Sequence, residues 1–263
     1  MKRSNHSAQI SALASIVTLL ITSAAFAQDT IPTAFRDGAY FGFAGGASNV
    51  SLYGTTLHLD GTYGSNAADE AANVRSSGPQ YSVSVGYEFA KSATIIHGVE
   101  ASASKFDGEH INYDLRGNGA ISASVSYNQG PLFSLRSKIG VVRGATMFFG
   151  TLGPALLQEK QTRTQYMQVV NDSSTTTVSF AETETKIRYG ATMSVGVRRA
   201  VARDWSVSLE LQHYLLAPTT FQFENARGGV LTGQGQGYHS VQGRQAESTY
   251  QNTVLLIGLT RKF

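Results

Sequence analysis

The 263-residue chain contains no cysteine, so no disulfide framework can hold it together. Beyond residue 27 it also lacks any apolar run long enough for a helix to cross a bilayer. Its six histidines show no metal-ligand spacing. The glycines of LTGQGQGY (231–238) lack the strand-to-helix setting of a phosphate-binding loop, and read as loop residues. Stability must therefore come from backbone hydrogen bonding and burial alone. No cofactor or metal is implied.

The first 27 residues explain an apparent excess of positive charge. Lys2 and Arg3 precede a short apolar run, Ile10 to Ile21, and Ala25-Phe26-Ala27 follows as a small-x-small site before Gln28. This layout is that of a secretory signal peptide, and the apolar run is too short to anchor the chain. Removing 1–27 takes two of 21 basic residues and none of the 18 acidic ones, leaving a net charge of +1. The basic pI thus gives no support for nucleic-acid binding. Residues 28–37 read as a periplasmic N-terminal segment and 38–263 as one all-β domain.

What the domain has is alternation. Tyr81, Val83, Val85, Tyr87 and Phe89 share one face, opposite Ser82, Ser84, Gly86 and Glu88. Phe133, Leu135, Ser137, Ile139 and Val141 oppose Ser134, Arg136, Lys138 and Gly140. The same period of two runs through 189–198 and 205–212, and predicts strands. Less regular segments at 38–48, 94–106 and 147–160 are further strands, the last too apolar on both faces for its register to be set. The C-terminal segment NTVLLIGLTRKF places Thr253, Leu255, Ile257, Leu259 and Phe263 together, with Arg261 the one polar interruption. The total is eight strands.

Connections between these strands alternate in length. Short ones fall at 90–93, around Arg143-Gly144-Ala145, and at 200–204; long polar ones span roughly 49–78, 107–131, 161–184 and 217–250. The alternation predicts an eight-stranded antiparallel up-and-down transmembrane β-barrel, with short periplasmic turns at one rim and long extracellular loops at the other. Its apolar faces would meet lipid and its Gly, Ser and charged faces would line the interior. Residues 171–185 carry Thr and Val in a pattern that could extend a hairpin beyond the membrane.

The inward faces would then carry Glu100, Arg136, Lys138, Arg198, Glu210 and Lys262. In an interior just wide enough for side chains, such charges must pair, with Glu100 and Glu210 among Arg136, Arg198 and Lys138. The network reads as a structural plug, with a gated ion path as the alternative. No nucleophile constellation accompanies it. His239-Ser240 lacks an orienting acid or oxyanion donor nearby, and reads as loop surface. His97 reads as a membrane-interface residue.

Several segments carry a family resemblance. The terminus GLTRKF resembles the C-terminal signal of outer-membrane proteins that is read by the barrel assembly machinery, through Leu255, Ile257, Gly258, Leu259 and Phe263; Arg261 stands where that pattern commonly has an aromatic residue. In order along the chain, YFGFAGGAS, HGVEASAS, SLRSKIGVV and DWSVSLELQHY resemble segments of the small alphaproteobacterial outer-membrane barrels of the opacity-like and OmpA-like family. The resemblance implies localisation in the bacterial outer membrane. It implies contact with outer-membrane lipid and lipopolysaccharide, and a non-catalytic surface or envelope-structural role. The stretch LELQHYLLAP is also similar to a lipid A deacylase segment, but Leu215 stands where the nucleophilic serine would follow His213-Tyr214. The alternatives to a structural role are a narrow porin, a lipid A-modifying enzyme, or a periplasmic lipocalin-like barrel with an apolar inside. The loops name no ligand.

Overall fold

Each strand exposes one set of side chains to either side of the sheet, and here the two sets differ in polarity almost throughout. The computed structural model describes residues 32–57, 70–90, 94–108, 111–117, 120–171, 174–223, 231–232 and 244–263. The leader (1–27) and His239-Ser240 lie outside them. After a short 3-10 turn (Thr33–Phe35) come β1 (Gly38–Leu57), β2 (Glu70–Ala90), β3 (Ile95–Phe106), β4 (Ile111–Gly117), β5 (Ala120–Arg143) and β6 (Thr146–Asn171). They are followed by β7 (Ser174–Ala200), β8 (Trp205–Phe223), β9 (Leu231–Thr232) and β10 (Arg244–Lys262).

β3 and β4 lie end to end along β5 and act as one stave, while the two-residue β9 runs parallel beside β6. The remaining pairings are antiparallel between chain neighbours, and β1 closes the ring on β10. The result is a closed eight-stranded up-and-down barrel. Closure leaves no free backbone edge along the barrel wall, which lipid could not satisfy.

The registers determine the barrel's geometry. Tyr40 faces Gly86, Gly86 faces Glu100, and Glu100 faces Arg136. From there the row passes through Gly153 to Thr192, Tyr214, Asn252 and finally Val50. One circuit that starts at Tyr40 thus returns at Val50, a stagger of ten residues. Ten steps of about 3.3 Å against eight spacings of about 4.7 Å tilt the strands by roughly 40°.

The outer wall is apolar. On β7 the outward residues from Ile187 to Val197 include Tyr189, Met193 and Val195, of which Val195 is 64% exposed. Ten residue steps at that tilt rise roughly 25 Å, the height of the lipid-facing band of an outer-membrane barrel. Aromatic residues gather at the short-turn rim, where Phe41 and Phe43 meet edge to face and Tyr87 lies against Phe89. Arg261, the polar interruption, is held among them, its guanidinium 5.5 Å from the Trp205 ring and 5.4 Å from Phe263.

Two expectations are revised. Three of the long links, 49–78, 107–131 and 161–184, are strand for most of their length. β1 continues to Leu57 and β2 begins at Glu70, while β6 and β7 stay in register to the pair Asn171–Ser174. The 161–184 link is thus a hairpin, because its Thr- and Val-rich backbone gains a ladder bond with each added pair. The register of 147–160 is now set, with Phe148, Leu152 and Leu156 outward and Met147, Phe149 and Leu157 inward. Both faces of β6 are apolar because the interior holds apolar layers as well as charge.

At the short-turn rim the chain turns on glycine. Gly144, at φ +58°, comes first in the two-residue β5–β6 turn, the placement a type II′ hairpin requires. Gly38 adopts φ +145° where the closing strand arrives, and a Cβ there would lie 2.7 Å from the Phe263 carbonyl oxygen.

Candidate functional site

The interior is layered along the barrel axis. At the short-turn end, the 3-10 turn packs Ala34 and Phe35 against Ile96, Val142, Met147 and Phe149, forming an apolar floor. Toward the other rim, Val50, Leu52, Tyr127, Leu132, Leu157 and Tyr214 belong to a second apolar cluster with Leu216, Phe221, Tyr250 and Leu256. The charged residues lie between these two.

All six charges expected inside do face the interior. Glu100, Arg136, Lys138, Arg198 and Lys262 are buried and Glu210 is nearly so, its side chain 13% exposed. Arg136 bridges two acids, pairing with Glu100 and donating from Nη1 to Glu210 Oε1 at 2.7 Å. Lys138 Nζ donates to Glu100 Oε2 and to the Tyr40 hydroxyl, each at 2.7 Å. Tyr40 in turn donates to Glu100 Oε2 at 2.5 Å.

The expected grouping is corrected in one respect. Arg198 makes its ion pair with Glu88, a residue outside the expected set, rather than with Glu100 or Glu210. Glu88 is fully buried and gathers three cations: it pairs with Arg198, accepts from Lys262 Nζ at 3.0 Å, and lies 3.7 Å from Lys138 Nζ. The signal for Glu88 was present in the sequence, since it falls in phase with Ser82, Ser84 and Gly86 on the inward face of β2. Tyr40 was the second omission, and the Gly-rich aromatic start of β1 concealed it.

Aromatic rings complete the coordination of the cations. Arg198 lies 5.9 Å from the rings of Phe35 and Phe149 and 5.4 Å from Tyr40, and Lys138 is 4.6 Å from Tyr40. Their negative faces offset part of the desolvation of the charges. Gly86 makes room for this packing, because a Cβ there would come within 2.5 Å of the Tyr40 ring. A separate buried pair sits nearer the long-connection rim: Arg188 Nε and Nη2 both donate to Glu159 Oε2, at 2.9 and 2.5 Å, and Nη1 donates to the Ala217 carbonyl.

Among the described residues of the charged layer the polar groups are tied to one another. Lysines and arginines are tied to carboxylates, and hydroxyls pair with each other, as Ser102 with Ser134 and Thr151 with Ser194. Among the described residues no group of His, Asp or Glu could hold a metal ion. His213 faces outward and bonds Thr253 Oγ1 through Nδ1 at 2.8 Å, with Leu215 next on its face. His97 is half-buried on the outer wall near the short-turn rim. Of the C-terminal set, Leu255, Ile257, Leu259 and Phe263 face outward while Gly258 faces the interior, and Phe263 is 73% exposed.

No family model matches the chain, and no curated protein matches it in sequence. Among solved structures it is similar to the outer membrane protein OprG from Pseudomonas aeruginosa, with 14% identity, a TM-score of 0.52, and coverage of 89% of this chain and 99% of that one. Weaker likenesses are to the outer membrane protease OmpT from Escherichia coli (9% identity, TM-score 0.43, 92% and 100% covered) and to Neisserial surface protein A (10%, 0.35, 86% and 99%). The chain has the fold of an eight-stranded outer-membrane β-barrel.

Proposed function

We propose that this protein is an exported, non-catalytic barrel of the bacterial outer membrane with an occluded interior, serving a surface or envelope-structural role. The observation that carries the reading is the filled interior. An apolar floor, an ion-paired middle and an aromatic upper cluster follow one another along the axis. An eight-stranded barrel is just wide enough for side chains to fill. The outward band supports a lipid environment. The reverse orientation, with leucines inside and charges in water, would be needed for a soluble lipocalin-like barrel.

In this reading residues 1–27 direct export. The outward Leu255, Ile257, Leu259 and Phe263 present the last strand to the assembly machinery, and the apolar wall contacts lipid and lipopolysaccharide. The ordered segment resemblances favour a place among the opacity-like and OmpA-like barrels.

The test is conductance across a planar bilayer holding the refolded chain from Gln28 to Phe263. The expected result is no discrete conductance steps. Replacing Phe35 and Phe149 together by alanine opens the floor alone and is also expected to give no steps, because the ion-paired middle and the upper cluster still close the axis. Steady steps from the unaltered chain would instead establish the narrow porin. Altered lipid A mass in cells expressing it would establish the enzyme.

A further inference from the structure

At the short-turn rim, on one side of the barrel, the apolar wall gives way to arginine. On β5 the last outward residues are Ile139, Val141 and Arg143; on β7 they are Val195, Val197 and Arg199. β6 lies between these strands, and the register sets their residues in two rows. Val141, Phe148 and Val197 stand side by side, with Phe148 exposed outward between the two valines. The next row is Arg143, Thr146 and Arg199. Arg143 is exposed and Arg199 half-buried.

Two turns complete the patch. Gly144-Ala145 joins β5 to β6 and residues 201–204 join β7 to β8. Ala200 N–H donates to the Ala145 carbonyl at 2.9 Å, which stitches the two turns together. The second turn adds Arg203 and Val201, both exposed. Asp204 is the one carboxylate in 143–146 and 199–205, so three guanidinium groups stand against it with an excess of two positive charges. Neither Arg143 nor Arg203 makes an ion pair among the described residues. The barrel's tilt gives the heights. Arg199 lies about 5 Å beyond Val197 along the axis, and the row descends about 6 Å further over two strand spacings to Arg143. The arginines therefore begin at the edge of the hydrocarbon and pass through the headgroup layer, which is about 5–8 Å deep on each side.

We propose that this patch holds the headgroup of an anionic phospholipid in the leaflet at the short-turn rim. The phosphate lies among Arg143, Arg199 and Arg203, and the acyl chains run up the wall over Phe148 and Val197. Guanidinium pairs bidentately with phosphate oxygens, and such charge-assisted bonds are the stronger class. The excess of two charges selects an anionic headgroup, because the ammonium of a zwitterionic one would meet further cations. The inference rests on the outer-membrane reading, which puts lipid against this wall.

The experiment is native mass spectrometry of the refolded mature chain in detergent, titrated with phosphatidylglycerol, phosphatidylethanolamine and inorganic phosphate. Gel mobility with and without boiling is read on the same samples. One phosphatidylglycerol should bind, about tenfold more tightly than phosphatidylethanolamine. Arg143→Gln and Arg203→Gln should each weaken it about fivefold, the scale of one basic residue at a lipid surface. Arg143→Lys and Arg203→Lys, which keep the charge, should retain most of the binding. Lys186→Gln removes a like charge from the inward face of β7 near the other rim, where Lys186 pairs with Glu184, and should change nothing. Equal binding of phosphatidylglycerol by the parent and the glutamine variants, with the heat shift intact, overturns the site while leaving the membrane reading standing. Equal affinity for the two lipids overturns the anionic assignment. Saturation by inorganic phosphate at the same affinity overturns the lipid assignment. A chain soluble without detergent and lacking the shift overturns both readings.

Discussion

Glu88 shows how much one side chain decides in this interior. Three cations converge on it, and it has no exposure to share their charge with water. Glu210 belongs to the same network but makes one bond, to Arg136, and retains some exposure. The two acids should therefore differ sharply on neutralisation. Glu88→Gln leaves Arg198 and Lys262 buried without their acid, and is expected to cost about 3 kcal/mol. Glu210→Gln should cost about 1 kcal/mol, since Arg136 keeps Glu100. Denaturant unfolding of the two variants in lipid vesicles measures both; equal losses would mean that Glu88 is not the centre of the network. The neighbouring Gly86 makes a related point, because what it contributes is the space that the Tyr40 ring occupies.

Among the elements, the strands divide into a part that closes the ring and a part that extends beyond the band. β6 runs for 26 residues, roughly 80 Å of strand, against a membrane band of roughly 25 Å. Its distal pairing with β7 continues without a register shift to Asn171. The interior layers rest on pairs nearer the short-turn rim, such as Leu157–Arg188 and Thr151–Ser194. Deleting Tyr166–Ser179 and joining Gln165 to Phe180 through Asn-Gly shortens each arm by six residues, an even number that keeps inward and outward positions in phase. The shortened chain should fold in detergent and keep its heat-dependent gel shift. Loss of the shift would show that the distal hairpin contributes to closure. The closing strand β10 is the opposite case: both of its neighbours depend on it, and Phe263 N–H donates to the Ala39 carbonyl at the seam.

For the whole molecule the decisive quantity is the environment of the outer wall. Met193 lies near the middle of the outward series from Ile187 to Val197 and is 45% exposed. In a bilayer, Met193→Arg puts a charge near the midplane and is expected to cost about 2–4 kcal/mol. In water the same change would be close to neutral. Comparing unfolding of the variant and the parent in vesicles separates these cases, and no loss would exclude a lipid-facing wall. The layered interior, the stagger of ten and the band height then describe one object: a narrow, filled barrel whose outward surface is largely apolar.

Alternation of side chains along the sequence was enough to place eight strands, orient the faces of six of them, and name six of the interior charges, because strand periodicity is local and survives without knowledge of neighbours. The alternation of short and long connections ordered the rims for the same reason. The expected grouping of Glu100 and Glu210 with Arg136 and Lys138 holds, but the partner of Arg198 was beyond its reach. Arg198 meets Glu88 across 110 positions of sequence, and only the stagger of the closed ring brings them to one level. The inward faces of 38–48 and 147–160 were illegible because an apolar residue looks alike whether it meets lipid or an apolar floor. The extended hairpin was read at 171–185, where Thr and Val favour strands, but elsewhere its length escaped: Thr-rich and Ser-rich segments read equally as loop or strand until a paired neighbour supplies the hydrogen bonds. In the six strands so oriented, sequence alone determined which residues face which way; the tertiary structure decided which of them meet, since that depends on closure and shear, and neither is a property of any one strand.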